Sequence, residues 1–221
     1  MKNFLYSVFI VLLFVKCAAV IYDKSSVQYI KDDFSSETFY NGGLAILPVV
    51  SGQGQEGYRR PFGEALNKGI NTMLPGLHYL QWQRTMNVLN QHCLVEDYKK
   101  AILSYRETAI LDKNLIRKIG EALELRYLLF VSLEEFHKAS QTNYNILVGF
   151  HTTKTARING FAQIWDCTNG DVVWDGIGLA ESKGGDLTYE KDYIEYAKIA
   201  AKIISNSDLG IEIGDRIRLI N

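Results

Sequence analysis

Residues 44–50 read LAILPVV, a nearly continuous apolar run. Such a run predicts a strand that is covered on both faces. Pro48 has no backbone N–H to donate to a ladder, so we expect it near a strand end or a bulge. Pro61 then begins an amphipathic helix, since it suits a first helical turn. The apolar residues of this helix recur at helical spacing: Phe62, Ala65, Leu66, Gly69, Ile70 and Met73.

Strands and helices continue to alternate toward the carboxyl terminus. Residues 77–83 predict a second strand, and 85–91 predict a helix. Asp112 is the expected N-cap of a further helix that runs to Leu125. The apolar residues 127–131 follow it as another buried strand.

A hairpin is predicted in the second half of the chain. Its strands are 157–166 and 172–180, and the turn between them contains Thr168-Asn169-Gly170. Residues 132–155 are interpreted as a polar connection that includes one short strand at 146–150. The order of elements predicts an α/β fold: a single layered domain with a mixed sheet flanked by helices.

The first nineteen residues predict export from the cytoplasm. Lys2 precedes an apolar run at 4–15, and Cys17-Ala18-Ala19 supplies small residues after it. This is the pattern of a secretory signal, and the run is shorter than the ~20 apolar residues of a membrane-spanning helix. Two processing sites remain open: cleavage after Ala19, or cleavage before Cys17 with lipidation of that cysteine. The expected location is the periplasm or the periplasmic face of the outer membrane.

Three segments follow from this pattern. Residues 1–19 are the signal peptide, or 1–16 if the chain is a lipoprotein. The polar residues 20–43 are interpreted as a tether or loosely packed amino-terminal arm. Residues 44–221 form the α/β domain, and its apolar tail at 211–220 could add an edge strand.

Composition excludes some classes of partner. Removing Lys2 and Lys16 with the signal changes the formal net charge from −1 to −3, which leaves no basic stripe for nucleic acid. Membrane contact is therefore expected only through the possible lipid on Cys17. Cys93 and Cys167 could pair in an oxidising compartment, but two separately buried thiols are the favoured interpretation.

Several segments, taken in order, resemble one family. They are the strand at 44–50 with its following helix, the polar segment at 83–91, the helix at 111–120 that leads into 127–131, and the hairpin at 156–181. This order is similar to that of the CsgG-like and LpoB-like envelope lipoproteins. The group includes the curli secretion channel, the penicillin-binding-protein activator LpoB and the amino-terminal domain of TolB. The resemblance covers about residues 44–205.

The resemblance implies a non-enzymatic envelope protein that binds another envelope protein or itself, in scaffolding or activation. Sheet edges and the last predicted helix, capped by Thr188, are the expected contact surfaces. Tyr189, Tyr193 and Tyr196 form an aromatic stripe on that helix, which packs in the core or faces a partner. The alternative is a subunit of an oligomeric secretion complex. The secretion channel carries two long insertions, and this chain has no comparable pair.

A literal G-x-G-x-x-G stands at Gly52, Gly54 and Gly57, after a buried strand and before a helix. It raises a third hypothesis, an NAD(P)-binding oxidoreductase. Pro61 would fall inside the second turn of the helix that this motif begins, and no Asp or Glu lies between Glu64 and Glu96 to bind a ribose. We therefore expect a flexible glycine loop and no cofactor.

No residue pattern predicts catalysis or a metal. Asp166, Asp171 and Asp175 crowd the hairpin, where turn solvation accounts for them better than a Ca²⁺ site. Ser51 lacks the G-x-S-x-G elbow of a serine nucleophile. Arg59 either belongs with Arg60 to an anion site or marks a solvated helix start. The four histidines show no ligand spacing: His78, His92, His137 and His151.

Overall fold

The computed structural model describes residues 20–145 and 149–183. The described strands are β1 (Val20–Ile30), β2 (Leu44–Ile46), β3 (Val50–Ser51), β4 (Tyr79–Leu80), β5 (Tyr127–Asn145), β6 (Gly149–Asp166) and β7 (Asp171–Lys183). The described helices are α1 (Ser36–Gly42), α2 (Arg59–Met73), α3 (Trp82–Gln91), α4 (Val95–Thr108) and α5 (Lys113–Leu123). A short 3₁₀ turn, Glu56–Tyr58, precedes α2.

These strands form one mixed sheet in the order β1-β7-β6-β5-β2-β4, and β3 also pairs with β5. The pairs of β2 with β4 and β5, and of β3 with β5, are parallel. The pairs from β5 through β6 and β7 to β1 are antiparallel. The predicted α/β fold with a mixed sheet flanked by helices is therefore confirmed.

Two apolar cores lie on opposite faces of this sheet. On one face, Phe39 of α1 and Phe62 of α2 pack with Leu129 of β5. On the other, Leu89 of α3, together with residues of α4 and α5, packs against Phe130 of β5. All residues from 44 to 47 and from 127 to 133 are buried, as expected for strands covered on both faces.

The amino-terminal segment corrects one prediction. Residues 20–43 are not a tether, because β1 pairs with β7 from Val20↔Lys183 to Ile30↔Trp174. The rings of Phe34 and Phe39 lie 5.6 and 5.7 Å from that of Tyr127, so the linker and α1 belong to the core. An edge strand can be polar along much of its length, which is why composition alone suggested a loose arm.

A second correction concerns residues 132–155. The described residues, 132–145 and 149–155, are not a polar connection, because β5 and β6 pair as far as Asn145↔Gly149, with one irregularity between Leu133 and Glu135. The predicted strand at 77–83 is also shorter, since α3 begins at Trp82. Residues 139–142 of β5 are all exposed, so this stretch needs no apolar alternation and its sequence carries no strand signal. The short strand predicted at 146–150 includes residues 146–148, which lie outside the described residues.

Several local predictions are confirmed. The Leu115 amide donates to Asp112 Oδ1 at 2.9 Å, the expected N-cap of α5. The turn of the β6–β7 hairpin places Gly170 at φ 71°, and the Gly170 amide donates to the Asp166 carbonyl at 2.7 Å. Pro48 lies between β2 and β3, where no ladder bond is required of it.

Within residues 20–145 and 149–183, none of the helices combines the length and the hydropathy of a membrane span. The predicted signal peptide, the helix with Tyr189, Tyr193 and Tyr196, and the tail at 211–220 lie outside the described residues. Their interpretation stays a prediction.

Candidate functional site

A groove of about 610 Å³ opens on the sheet face that also carries α3, α4 and α5. Its walls are the loop after β3 and the end of α4, and its floor is formed by β5, β6 and β7. On the floor, Glu134 and Ile177 are exposed, whereas Ser132 is buried.

The floor of the groove is partly apolar. Phe161 of β6 lies between Ser132 of β5 and Ile177 of β7 in one register row. Ile177 is 42% exposed. Gln163 and Asp175 form the next row on this face of the sheet. Phe161 and Ile177 thus give the groove an apolar contact area, and Gln163 and Asp175 in the next row give it hydrogen-bonding groups.

A hydrogen-bonded chain crosses the groove. The hydroxyl of Tyr105 donates to Gln163 Oε1 at 3.0 Å, and Gln163 Nε2 donates to Asp175 Oδ2 at 2.8 Å. Burial, followed by the negative charges of Asp175 and Glu134, raises the pKa of Tyr105 to about 12. The phenol of Tyr105 therefore remains protonated at physiological pH, and its hydroxyl donates the hydrogen bond that orients Gln163.

Two arginines hold the end of β3, from which the loop wall of the groove begins. Arg106 Nη2 donates to the Ser51 carbonyl at 2.7 Å, and Arg59 Nε donates to the Ser51 hydroxyl at 2.8 Å. Arg106 also lines the groove, as do Glu134 and Asp175. The groove thus presents charges of both signs beside an apolar floor. The hydroxyl of Ser51 accepts a hydrogen bond from the guanidinium of Arg59.

The glycine loop is occupied by a carboxylate of the chain itself. The Gly54 amide donates to Glu56 Oε1 at 3.2 Å. Hydrogen bonds from the backbone amides of Glu56 and Gly54, and then the charges of Arg59 and Arg106, lower the pKa of Glu56. The dinucleotide motif needs its loop amides for a pyrophosphate. Here the Gly54 amide instead binds the carboxylate of Glu56.

The two arginines at the start of α2 have separate roles. Arg59 bonds Ser51, whereas Arg60 Nε pairs with Glu64 at 3.0 Å along the exposed helix. Arg59 thus stabilises the groove wall, and Arg60 matches the solvated interpretation.

The three aspartates of the hairpin each have a different partner. Asp166 Oδ2 accepts from Arg126, Asp171 pairs with Lys113 at 2.7 Å and Lys31 at 3.3 Å, and Asp175 accepts from Gln163. The Thr168 amide also donates to Asp166 Oδ1, the turn contact expected of an aspartate there. Among the residues with described positions, no group of three or more His, Cys, Asp or Glu could hold a metal ion.

The cysteines correct part of a prediction. Cys93 and Cys167 are both free, but only Cys167 is buried, whereas Cys93 is exposed at the end of α3. Burial and the nearby charge of Asp166 raise the pKa of Cys167 to about 12, so its thiol stays protonated.

Sequence reasoning did not find the groove. Tyr105 and Gln163 are 58 positions apart, and the lining comes from five strands, a loop and a helix. Phe161 and Gln163, and likewise Asp175 and Ile177, are two residues apart and so share one face of their strand, a spacing that does not mark a groove.

No protein-family model matches the chain, and no curated relative matches it. Solved structures do align with it. The PelC dodecamer from Paraburkholderia phytofirmans aligns with 12% identity over 85% of this chain and 96% of that one, with a TM-score of 0.41. The hypothetical protein CT253 from Chlamydia trachomatis aligns with 12% identity over 74% of this chain and 94% of that one, with a TM-score of 0.45.

The C-terminal domain of LpoB from Salmonella enterica aligns with 12% identity over 67% of this chain and 85% of that one, with a TM-score of 0.37. Similarity to LpoB, one of the proteins that the sequence resemblance named, is therefore found. The resemblance to the curli secretion channel and to TolB stays a prediction. All three TM-scores lie below 0.5, so these structures carry no evidence on the function of this chain.

Proposed function

We propose that the chain is a non-enzymatic protein of the bacterial cell envelope that acts by binding another envelope protein or a second copy of itself. The groove beside Ile177 is the proposed contact surface. Its role is to scaffold or activate the partner. No step of this function requires a cofactor or a reactive side chain.

The observation that carries the proposal is the composition of the groove. An apolar floor of Phe161 and Ile177 accepts an aliphatic or aromatic side chain of the partner. Arg106, Glu134 and Asp175 at its sides can orient polar groups around that anchor. Protein interfaces combine an apolar centre with a polar rim in the same way.

The outer edge of β1 provides further support. Among the described strands, β1 pairs with β7 alone, and Gln28 of β1 also lines the groove. A strand at a sheet edge offers backbone N–H and C=O groups to an added strand. A partner segment could therefore occupy the groove and extend the sheet at once.

The predicted signal peptide supports the location. An apolar run at 4–15 after Lys2 and small residues at 17–19 are the features of export. A protein delivered to the periplasm meets other envelope proteins there.

Affinity capture from envelope extract tests the proposal with three forms of the mature chain: wild type, Ile177→Asp and Leu103→Asp. Leu103 is 54% exposed on α4 and does not line the groove, so Leu103→Asp is the matched control. We expect one reproducible partner with wild type and Leu103→Asp, and at least about tenfold less with Ile177→Asp, because a charge in an apolar anchor site abolishes its contact.

Thermal melting of each form checks that the fold is retained. Equal capture by all three forms would reject the groove as the contact surface. A monomeric mass at high concentration, together with no reproducible partner for the wild type, would reject the function.

A further inference from the structure

Two carboxylates from different strands converge in the groove. Glu134 of β5 and Asp175 of β7 both line it. Burial is the main cause of the raised pKa of Tyr105, and the negative charges of both carboxylates add to it, so both act on the same hydroxyl. A positive charge placed between them is attracted by both. This part of the groove therefore favours a cation.

The two carboxylates are held in place by hydrogen bonds. The Ser132 hydroxyl donates to Glu134 Oε1. Gln163 Nε2 donates to Asp175 Oδ2 at 2.8 Å, and Gln163 is itself oriented by Tyr105. A carboxylate has about four acceptor sites, and each of these bonds uses one of them. Both side chains are thus oriented in advance and keep acceptors for the donors of a partner, which reduces the entropy that binding costs.

The floor beside the carboxylates is aromatic. Phe161 is half-buried and lies in register between Ser132 and Ile177. Its ring centroid is 6.2 Å from that of Tyr105. A guanidinium stacks on aromatic rings, and the methylenes of an arginine side chain contact apolar surface. An arginine can therefore lie over Phe161 and present its donors to two carboxylates at once.

The arginine of the groove itself is engaged elsewhere. Arg106 Nη2 donates to the Ser51 carbonyl at 2.7 Å. After hydrogen bonds from backbone amides, the charges of Arg59 and Arg106 lower the pKa of Glu56, so Arg106 acts on the loop after β3. The residues that line the groove include one guanidinium and two carboxylates, an excess of one negative charge. The groove therefore favours a segment that carries positive charge.

We infer that the occupant of the groove is a basic segment of another protein, with an arginine that lies over Phe161 and pairs with Glu134 and Asp175. Arginine suits this site better than lysine, because its planar fork bonds two carboxylates and stacks on a ring. A bulky apolar side chain next to this arginine contacts Ile177. The inference rests on the proposed function and specifies the chemistry of the partner.

Selection from a random peptide library displayed on phage tests the inference with the mature chain from Val20 onward. We expect the selected peptides to share an arginine next to a bulky apolar residue. The same selection with the double variant Glu134→Gln/Asp175→Asn should not enrich arginine. Both substitutions keep an acceptor oxygen for Ser132 and Gln163, so they remove the charge alone.

The matched control is Asp97→Asn/Glu107→Gln, which removes two exposed carboxylates of α4 that do not line the groove. Calorimetry with one selected peptide then measures the contribution of its arginine. Replacing that arginine by citrulline keeps its shape and removes its charge. We expect this change to weaken binding to the wild type and the control by about tenfold, and binding to the double variant by less than about threefold. Thermal melting checks that each form is folded.

No enrichment, peptides without a shared arginine, or an equal loss with citrulline for all forms would overturn the inference. Spermidine that displaces the peptide at a concentration near the peptide's own Kd would overturn it too, because the occupant would then be a small cation. So would a dimer that Ile177→Asp dissociates, because a second copy would then occupy the groove. The proposed function is tested separately. Envelope capture that depends on Ile177 but not on Glu134 and Asp175 would keep the groove as the contact surface and exclude the arginine.

Discussion

At the residue scale, the pair of Arg126 and Asp166 joins the start of β5 to the end of β6, beside the β6–β7 turn. Arg126 Nε and Nη2 donate to Asp166 Oδ2 at 3.0 and 2.8 Å. Asp166 is almost fully buried, whereas Arg126 is exposed over nearly half of its side chain. Burial opposes ionisation of Asp166, but the hydrogen bonds from Arg126 and Thr168 outweigh burial and lower its pKa below 3.8.

This pair predicts a pH-dependent stability. A carboxyl group with a lowered pKa in the folded state stabilises that state above its unfolded pKa, and the effect is lost as pH falls through the folded pKa. Asp166→Asn keeps an acceptor for the Thr168 amide but removes the charge. We expect it to reduce the free energy of unfolding by about 2 kcal/mol at pH 7, and by progressively less below about pH 4.

Urea unfolding of both forms across this pH range measures the difference. Asp171→Asn is the control, because Asp171 pairs with Lys31 and Lys113 in contact with water and its change should be smaller. A loss for Asp166→Asn that is the same at pH 7 and pH 3 would contradict this assignment.

At the element scale, the packing of α5 on the sheet depends on Gly120. A Cβ atom at this position would lie 2.2 Å from Cys167 Cβ and 2.6 Å from its Sγ. Alanine in place of glycine normally stabilises a helix by about 1 kcal/mol. Here the overlap forces α5 away from β6, so we expect Gly120→Ala to lower the free energy of unfolding by about 2 kcal/mol net.

Gly57→Ala is the matched control for this substitution, since nothing lies within 4 Å of the added Cβ atom. We expect its unfolding midpoint in urea to stay close to that of the wild type. If both variants unfold at the wild-type midpoint, the close contact between α5 and Cys167 does not exist in solution.

The elements differ in how far the sequence predicts them. The runs at 44–50 and 127–131 are apolar because both faces of their strands are buried, so the pattern and the structure agree. Residues 28–29 of β1 and 139–142 of β5 are exposed to solvent, and both strands carry many polar residues, so they resemble loops in sequence. Both segments are held in place by backbone hydrogen bonds, and these depend little on which side chains the residues carry.

At the scale of the whole molecule, the groove could not be predicted from any one segment. Its polar chain joins Tyr105 of α4 to Gln163 and Asp175 of neighbouring strands. These residues meet only when α4 lies across the sheet and β6 pairs with β7 in the observed register. The predicted Tyr189 stripe is a local helical pattern, so a single segment of sequence is enough to predict it.

The central claim is that the chain works by presenting this groove to a second protein. Photo-cross-linking in cells that produce the protein, with a photoreactive amino acid in place of Ile177 or of the control Leu103, tests it most directly. The account predicts a discrete adduct, of the chain with one partner or with a second copy, from the Ile177 position alone. No adduct from Ile177, or the same adducts from Leu103, would contradict it.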